Sequence, residues 1–236
     1  MSLCSAVNLG VWFALARRSA RRSARRETGE GEDDRLHLRL GALASVFTLI
    51  CAFRSVVPRA DVQRLTLFDS SLATVLVGRT VATIAELAFV AQWALALERT
   101  AQLAGVEAAR AIAAAALVAI SVAECFSWYA VLTTNYFGHV VEESLWTAVG
   151  LGAAVASAML YPRFRGTFQR VLAACIASAL GCVAFMVLHD VPMYVGRWQA
   201  DVLGFRCVRR RWRRSCGSAP RSLPRCLRDR APPRRA

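Results

Sequence analysis

The residue types able to do chemistry are sparse in this chain, which holds only three histidines. Two short stretches contain most of them. The first is "TTNYFGHVVEESLWT", Thr133 to Thr147. It places Asn135, His139, Glu142 or Glu143, and Trp146 at i, i+4, i+7 or i+8, and i+11, so a helix through them would carry its polar groups on one side. Gly138 is the expected break in that helix. His and Glu at this spacing can ligate a metal, and a Glu-x-x-His pair read in the opposite direction occurs in the cores of helix bundles. Which metal, if any, is not specified, because no His-x-x-x-His or His-Glu-x-x-His pair is present. The cofactor is left unknown. The second stretch is "LHDVPMY", with His189 and Asp190 at the end of the last long apolar run.

A second set of polar residues interrupts the apolar runs themselves. Arg79, Thr83 and Glu86 stand at i, i+4 and i+7, and Trp93 continues the same stripe. Ionisable groups in hydrocarbon cost on the order of 2.5 to 3.5 kcal/mol each, so they usually face the bundle interior and have partners. Arg79 and Glu86 are about 10 Å apart along a helix axis, so each is expected to find its partner on another helix. Glu124 shares a face with Ser121 and Trp128. It has two readings. As the partner of Arg79 it would lock two helices together; as a desolvated carboxylate it would take up and release protons.

The elements that position these groups follow from composition. At 56% hydrophobic and mean hydropathy +0.39, the 236-residue chain is too apolar for an ordinary soluble domain. The net charge of +14 points to nucleic acid only if it covers a folded surface, and it does not. Residues 206–236 alone carry twelve Arg against one acid, Asp229. No nucleic-acid partner is expected. The partner is the lipid bilayer, with a lipid or small molecule as a further ligand. The expected fold is all-α, a polytopic transmembrane helix bundle with five firm spans and a short N-terminal apolar helix.

The chain divides accordingly. Residues 1–16 form a short membrane helix or uncleaved signal anchor, and 17–35 a charged cytoplasmic loop. Residues 36–205 form the bundle, with spans at Leu36–Phe53, Ser71–Leu97, Ala111–Thr134, Ser144–Leu160 and Val171–Leu188. Residues 206–236 mix Arg with Pro, Ser and Cys, have no apolar periodicity, and are expected to be disordered. They are either a basic tail lying against anionic headgroups or GC-rich DNA translated out of its native frame. Four cysteines, Cys51, Cys125, Cys175 and Cys182, fall inside apolar runs as small hydrophobes. Two small-residue stripes, Gly150, Ala154, Ala158 and Ala173, Ala177, Gly181, predict close helix packing.

Arginine placement sets the orientation, because positive loops stay in the cytoplasm. With 17–39 inside, thirteen loop Arg fall on that side against four on the other, the tail excluded. Both His-acid stretches then lie at the non-cytoplasmic end, in the arrangement expected of a bacterial inner membrane. This layout of acids, Asn and His near one membrane face is similar to that of the alkaline ceramidase and adiponectin-receptor superfamily of membrane hydrolases. The His-x-x-x-His zinc motif and the matching Ser of those proteins are missing here, so the resemblance assigns no residue a role. Three function classes follow. The leading expectation is a site that binds or processes a lipid or small molecule at the far-side cluster. The alternatives are a transporter or channel-like protein using Arg79, Glu86 and Glu124, and a non-enzymatic scaffold. Enzyme status stays open.

Overall fold

In a computed structural model, residues 32–56, 72 and 74–215 are described. They form helices α1 (Glu32–Val56), α2 (Val75–Ala104), α3 (Glu107–Thr133), α4 (Tyr136–Leu160), α5 (Thr167–Phe185) and α6 (Val191–Ser215). A five-residue π turn, Met186–Asp190, joins α5 to α6, and no strand occurs among the described residues. The fold is an all-helical bundle. Five stretches are long and apolar enough to cross a membrane: Asp34–Arg54, Val75–Ala104, Glu107–Thr133, Tyr136–Arg163 and Thr167–Gly204. The N-terminal apolar helix expected at 1–16 lies outside the described residues.

Local chemistry sets the helix ends. The Thr74 side chain accepts a hydrogen bond from the Val77 amide at the start of α2, and Gly105 closes α2 in the left-handed conformation at φ 66°. Thr134, also left-handed at φ 54°, ends α3. Asn135 immediately starts α4, its side chain accepting from the Phe137 amide. Two residues therefore suffice to reverse the chain, and α3 and α4 run antiparallel.

That turn changes two sequence-based expectations. The span expected from Ser144 begins at Tyr136, because Asn135 caps a helix that carries His139 and Glu142 inward. Gly138 does not break this helix. It is buried, and a Cβ there would meet the Phe126 carbonyl at 2.5 Å and the Ala130 Cβ at 2.8 Å. Glycine lets the start of α4 lie directly on the end of α3.

The core belongs to α2, α3 and α4, with Leu172 added from α5. One cluster joins Leu97, Ala101, Ala109, Ala113, Ala156, Leu160 and Leu172, and a second joins Val90, Ala116, Ile120, Ala123 and Val149. Alanine supplies four of the seven residues in the first and two of the five in the second, which lets the backbones approach closely, as in membrane helices. Outward faces are apolar too: Val118 and Leu132 are 67% exposed and Leu188 78%. Helices apolar on every side suit lipid surroundings. The chain is an integral membrane protein.

The peripheral helices are looser. The candidate span of α1 buries none of its residues, and Phe47 against Phe89 on α2 is its aromatic contact. Of the two small-residue stripes, the first packs in part: the Gly150 Cβ position is 3.0 Å from Val183 Cγ2 and Ala154 is buried, but Ala158 is exposed. The second does not, since Ala173, Ala177 and Gly181 are exposed. The boundary at 205 falls inside α6, which continues through 206–215; residues 216–236 lie outside the described residues.

Candidate functional site

Arg79 lies near the start of α2, Glu124 nine residues before the end of α3, and Glu142 in the second turn of α4. Antiparallel packing brings these three places to one level of the bundle, about 14 Å or less from the α3–α4 turn at 1.5 Å per residue. The mid-membrane groups and the interfacial His-acid group are thus one cluster.

A single guanidinium nitrogen organises it. Arg79 Nη2 donates to Glu124 Oε2 at 2.7 Å and to Glu142 Oε1 at 3.0 Å, and lies 3.5 Å from Glu86 Oε2. The contact with Glu86 corrects the expectation that these two residues could not pair within α2. Both side chains are long and share a face at i and i+7, so extended toward each other they span the axial gap. The Thr83 hydroxyl adds a second donor to Glu124 Oε2 at 2.6 Å and itself accepts from Trp128 Nε1 at 3.1 Å. His139 Nδ1 lies 2.8 Å from Glu142 Oε2.

The bonding is nevertheless incomplete. Glu124 is 4% exposed, yet its Oε1 has no donor, and Arg79 Nε and Ser127 Oγ are likewise buried without a partner. A buried polar atom left in this state is expensive, more so when it is charged.

The oxygens of Glu86, Glu124 and Glu142 lie within 4.8 Å of one another, a spacing able to hold a cation. Arg79 Nη2 already fills the point between them. The guanidinium therefore stands where a metal ion would sit, and the donor set does not fit a metal while Arg79 is there.

The remaining candidates are placed as follows. Asn135 caps α4 and donates from Nδ2 to the Tyr129 hydroxyl at 3.3 Å, so it serves the turn and does not reach Arg79. Glu143 is half-buried, within electrostatic range of Glu142, Asp190 and Arg79. His189 is exposed in the π turn, its ring 5.3 Å from Phe185. The ring that reaches His139 is that of Tyr194, stacked at 4.9 Å. The π turn carries one residue more than an α turn, so the face presented to α4 is re-aimed beyond it. Sequence reasoning passed over Tyr194 and Arg197. Their signal was an aromatic–basic pair at i, i+3 near a span end, where such residues anchor the interface.

No family model, curated protein or solved structure matches the chain.

Proposed function

We propose that this integral membrane protein takes up and releases protons at the Arg79–Glu86–Glu124–Glu142 cluster, in the manner of a proton-coupled carrier. One observation carries the reading: three carboxylates converge on one guanidinium nitrogen while Glu124 Oε1, fully buried, has no donor. Arginine keeps its charge at any ordinary pH. Against three carboxylates it leaves two negative charges uncompensated, and the low-dielectric surroundings penalise each of them. Two further protons, shared among His139 and the carboxyls, make the cluster neutral. Losing one charges the bundle interior and biases the packing of α2, α3 and α4, the coupling a carrier needs.

The bilayer is the immediate partner, and the Arg asymmetry supports a bacterial inner membrane with 17–39 inside. A lipid or small-molecule site at the far-side histidines is less favoured, because Tyr194 covers His139 and His189 lies apart. A pure scaffold would close every polar group, which Glu124 does not.

A pH jump on the purified full chain in detergent, followed with an indicator dye, tests the proposal. Proton uptake is expected for the natural protein, reduced in Glu86→Gln and unchanged in Glu107→Gln, whose carboxyl pairs with Arg110 at the other end of α3. Identical titration of Glu86→Gln and the natural chain would contradict it.

A further inference from the structure

We infer that His139 is the relay through which the cluster exchanges protons with water on the far side, and that Tyr194 and Arg197 of α6 are its movable cover. The inference rests on the proton-exchange reading above and adds the route.

His139 bonds to Glu142 through Nδ1 at 2.8 Å, so Nε2 is the nitrogen left to exchange. Its side chain is 14% exposed, against 8% for Arg79 and 6% for Glu142, placing it between the buried cluster and the end of the bundle. The surroundings form an aromatic cluster. Tyr194 stacks on the imidazole at 4.9 Å, Tyr136 stands 6.5 Å from the imidazole and 6.4 Å from Tyr194, and the Arg197 guanidinium lies 5.7 Å from the Tyr136 ring and 5.6 Å from that of Tyr194. Phe137 against Trp198, 5.4 Å apart, continues the seam between α4 and α6. The charged or titratable groups facing His139 are therefore Glu142 and Tyr136 on α4, and Tyr194 and Arg197 on α6. Glu143 lies one residue beyond Glu142, with Asp190 of the π turn in its field, and Arg79 of α2 stands behind Glu142.

The transfer balances without any redox partner. A hydronium ion gives its proton to Nε2, forming an imidazolium. The Nδ1–H bond then breaks, its proton forms an O–H bond at Glu142 Oε2, and a neutral imidazole is left. Glu142 lies within 4.8 Å of the Glu86 and Glu124 oxygens, the next acceptors. Once the Glu142 proton has moved on, resetting the ring requires Nε2 to lose its proton to water and Nδ1 to gain one from water, and Tyr194, stacked on the imidazole, limits the access of water to it. Each cycle therefore requires α6 to shift. The π turn at Met186–Asp190 is where such a shift hinges, since this helix irregularity often marks functional sites.

Stopped-flow pH jumps on the full chain, read with an indicator dye, test the route. Because a positioned acid–base group contributes about 10²–10⁴-fold to proton transfer, His139→Ala is expected to slow uptake by tenfold or more. Added imidazole should restore the rate by filling the vacated space. His139→Gln, whose amide still donates to Glu142, keeps the fold and should be equally slow. Tyr194→Ala should take up protons faster than the natural chain. Uptake by His139→Gln at the natural rate overturns the relay, as does a slow His139→Ala that imidazole leaves unchanged. An unchanged rate in Tyr194→Ala overturns the cover. If the natural chain takes up no protons, the functional reading itself fails, an outcome distinct from these.

Discussion

Arg79 on α2 donates to Glu124 on α3 at 2.7 Å, deep in the bundle and 45 residues away in sequence. Because the same nitrogen also serves Glu142 and lies near Glu86, this is not a two-residue ion pair. Removing Arg79 leaves three carboxylates without their cation.

Arg79→Met is accordingly expected to cost about 3–5 kcal/mol, the range for breaking a buried pair. Replacing Glu124 by Met at the same time should recover little, because Glu86 and Glu142 still need the missing charge. Thermal unfolding in detergent of the two single variants and the double variant measures this. A double variant restored to natural stability would show that Arg79 and Glu124 form an isolated pair.

Gly138 gives a second, independent check on the fold. A methyl group there meets a backbone carbonyl at 2.5 Å and a neighbouring Cβ at 2.8 Å, neither able to move freely. Gly138→Ala should therefore destabilise by about 1–3 kcal/mol, as overpacking does. Gly41→Ala, with nothing within 4 Å, should not. Equal melting temperatures for both would mean that α3 and α4 do not approach this closely.

The bundle was legible in the sequence because apolar runs, breakers and caps are local signals. The five spans follow from run length, and Thr74, Gly105 and Asn135 mark helix ends by their own chemistry. The start of α4 was not, since acids and a histidine in its first two turns place the span's beginning at Ser144 until Arg79 is seen to receive them. The individual site residues stand out for the same reason that they are costly in a membrane. Their grouping is another matter: 45 and 63 residues separate Arg79 from Glu124 and Glu142, and only the packed bundle reveals that one nitrogen serves both. Tyr194 escaped notice because the π turn, which no local pattern announces, aims its helix face at His139 in place of His189.

Membrane orientation is checked by labelling single cysteines with an impermeant reagent in intact cells. With all eight natural cysteines replaced, Thr134→Cys should label only from outside and Gly166→Cys only after the cells are opened. Both positions lie in turns at opposite ends of α4. Labelling of both from one side would contradict the topology.

The most direct test of the account is the protonation of the cluster itself. Infrared difference spectra of the full chain, taken across a pH change in H2O and in D2O, report the C=O stretch of a protonated carboxyl and its shift on deuteration. A deuterium-sensitive carboxyl band that is lost in Glu86→Gln and altered in Glu124→Gln is the predicted result. The absence of any such band that depends on Glu86, Glu124 or Glu142 would contradict the claim that this cluster exchanges protons.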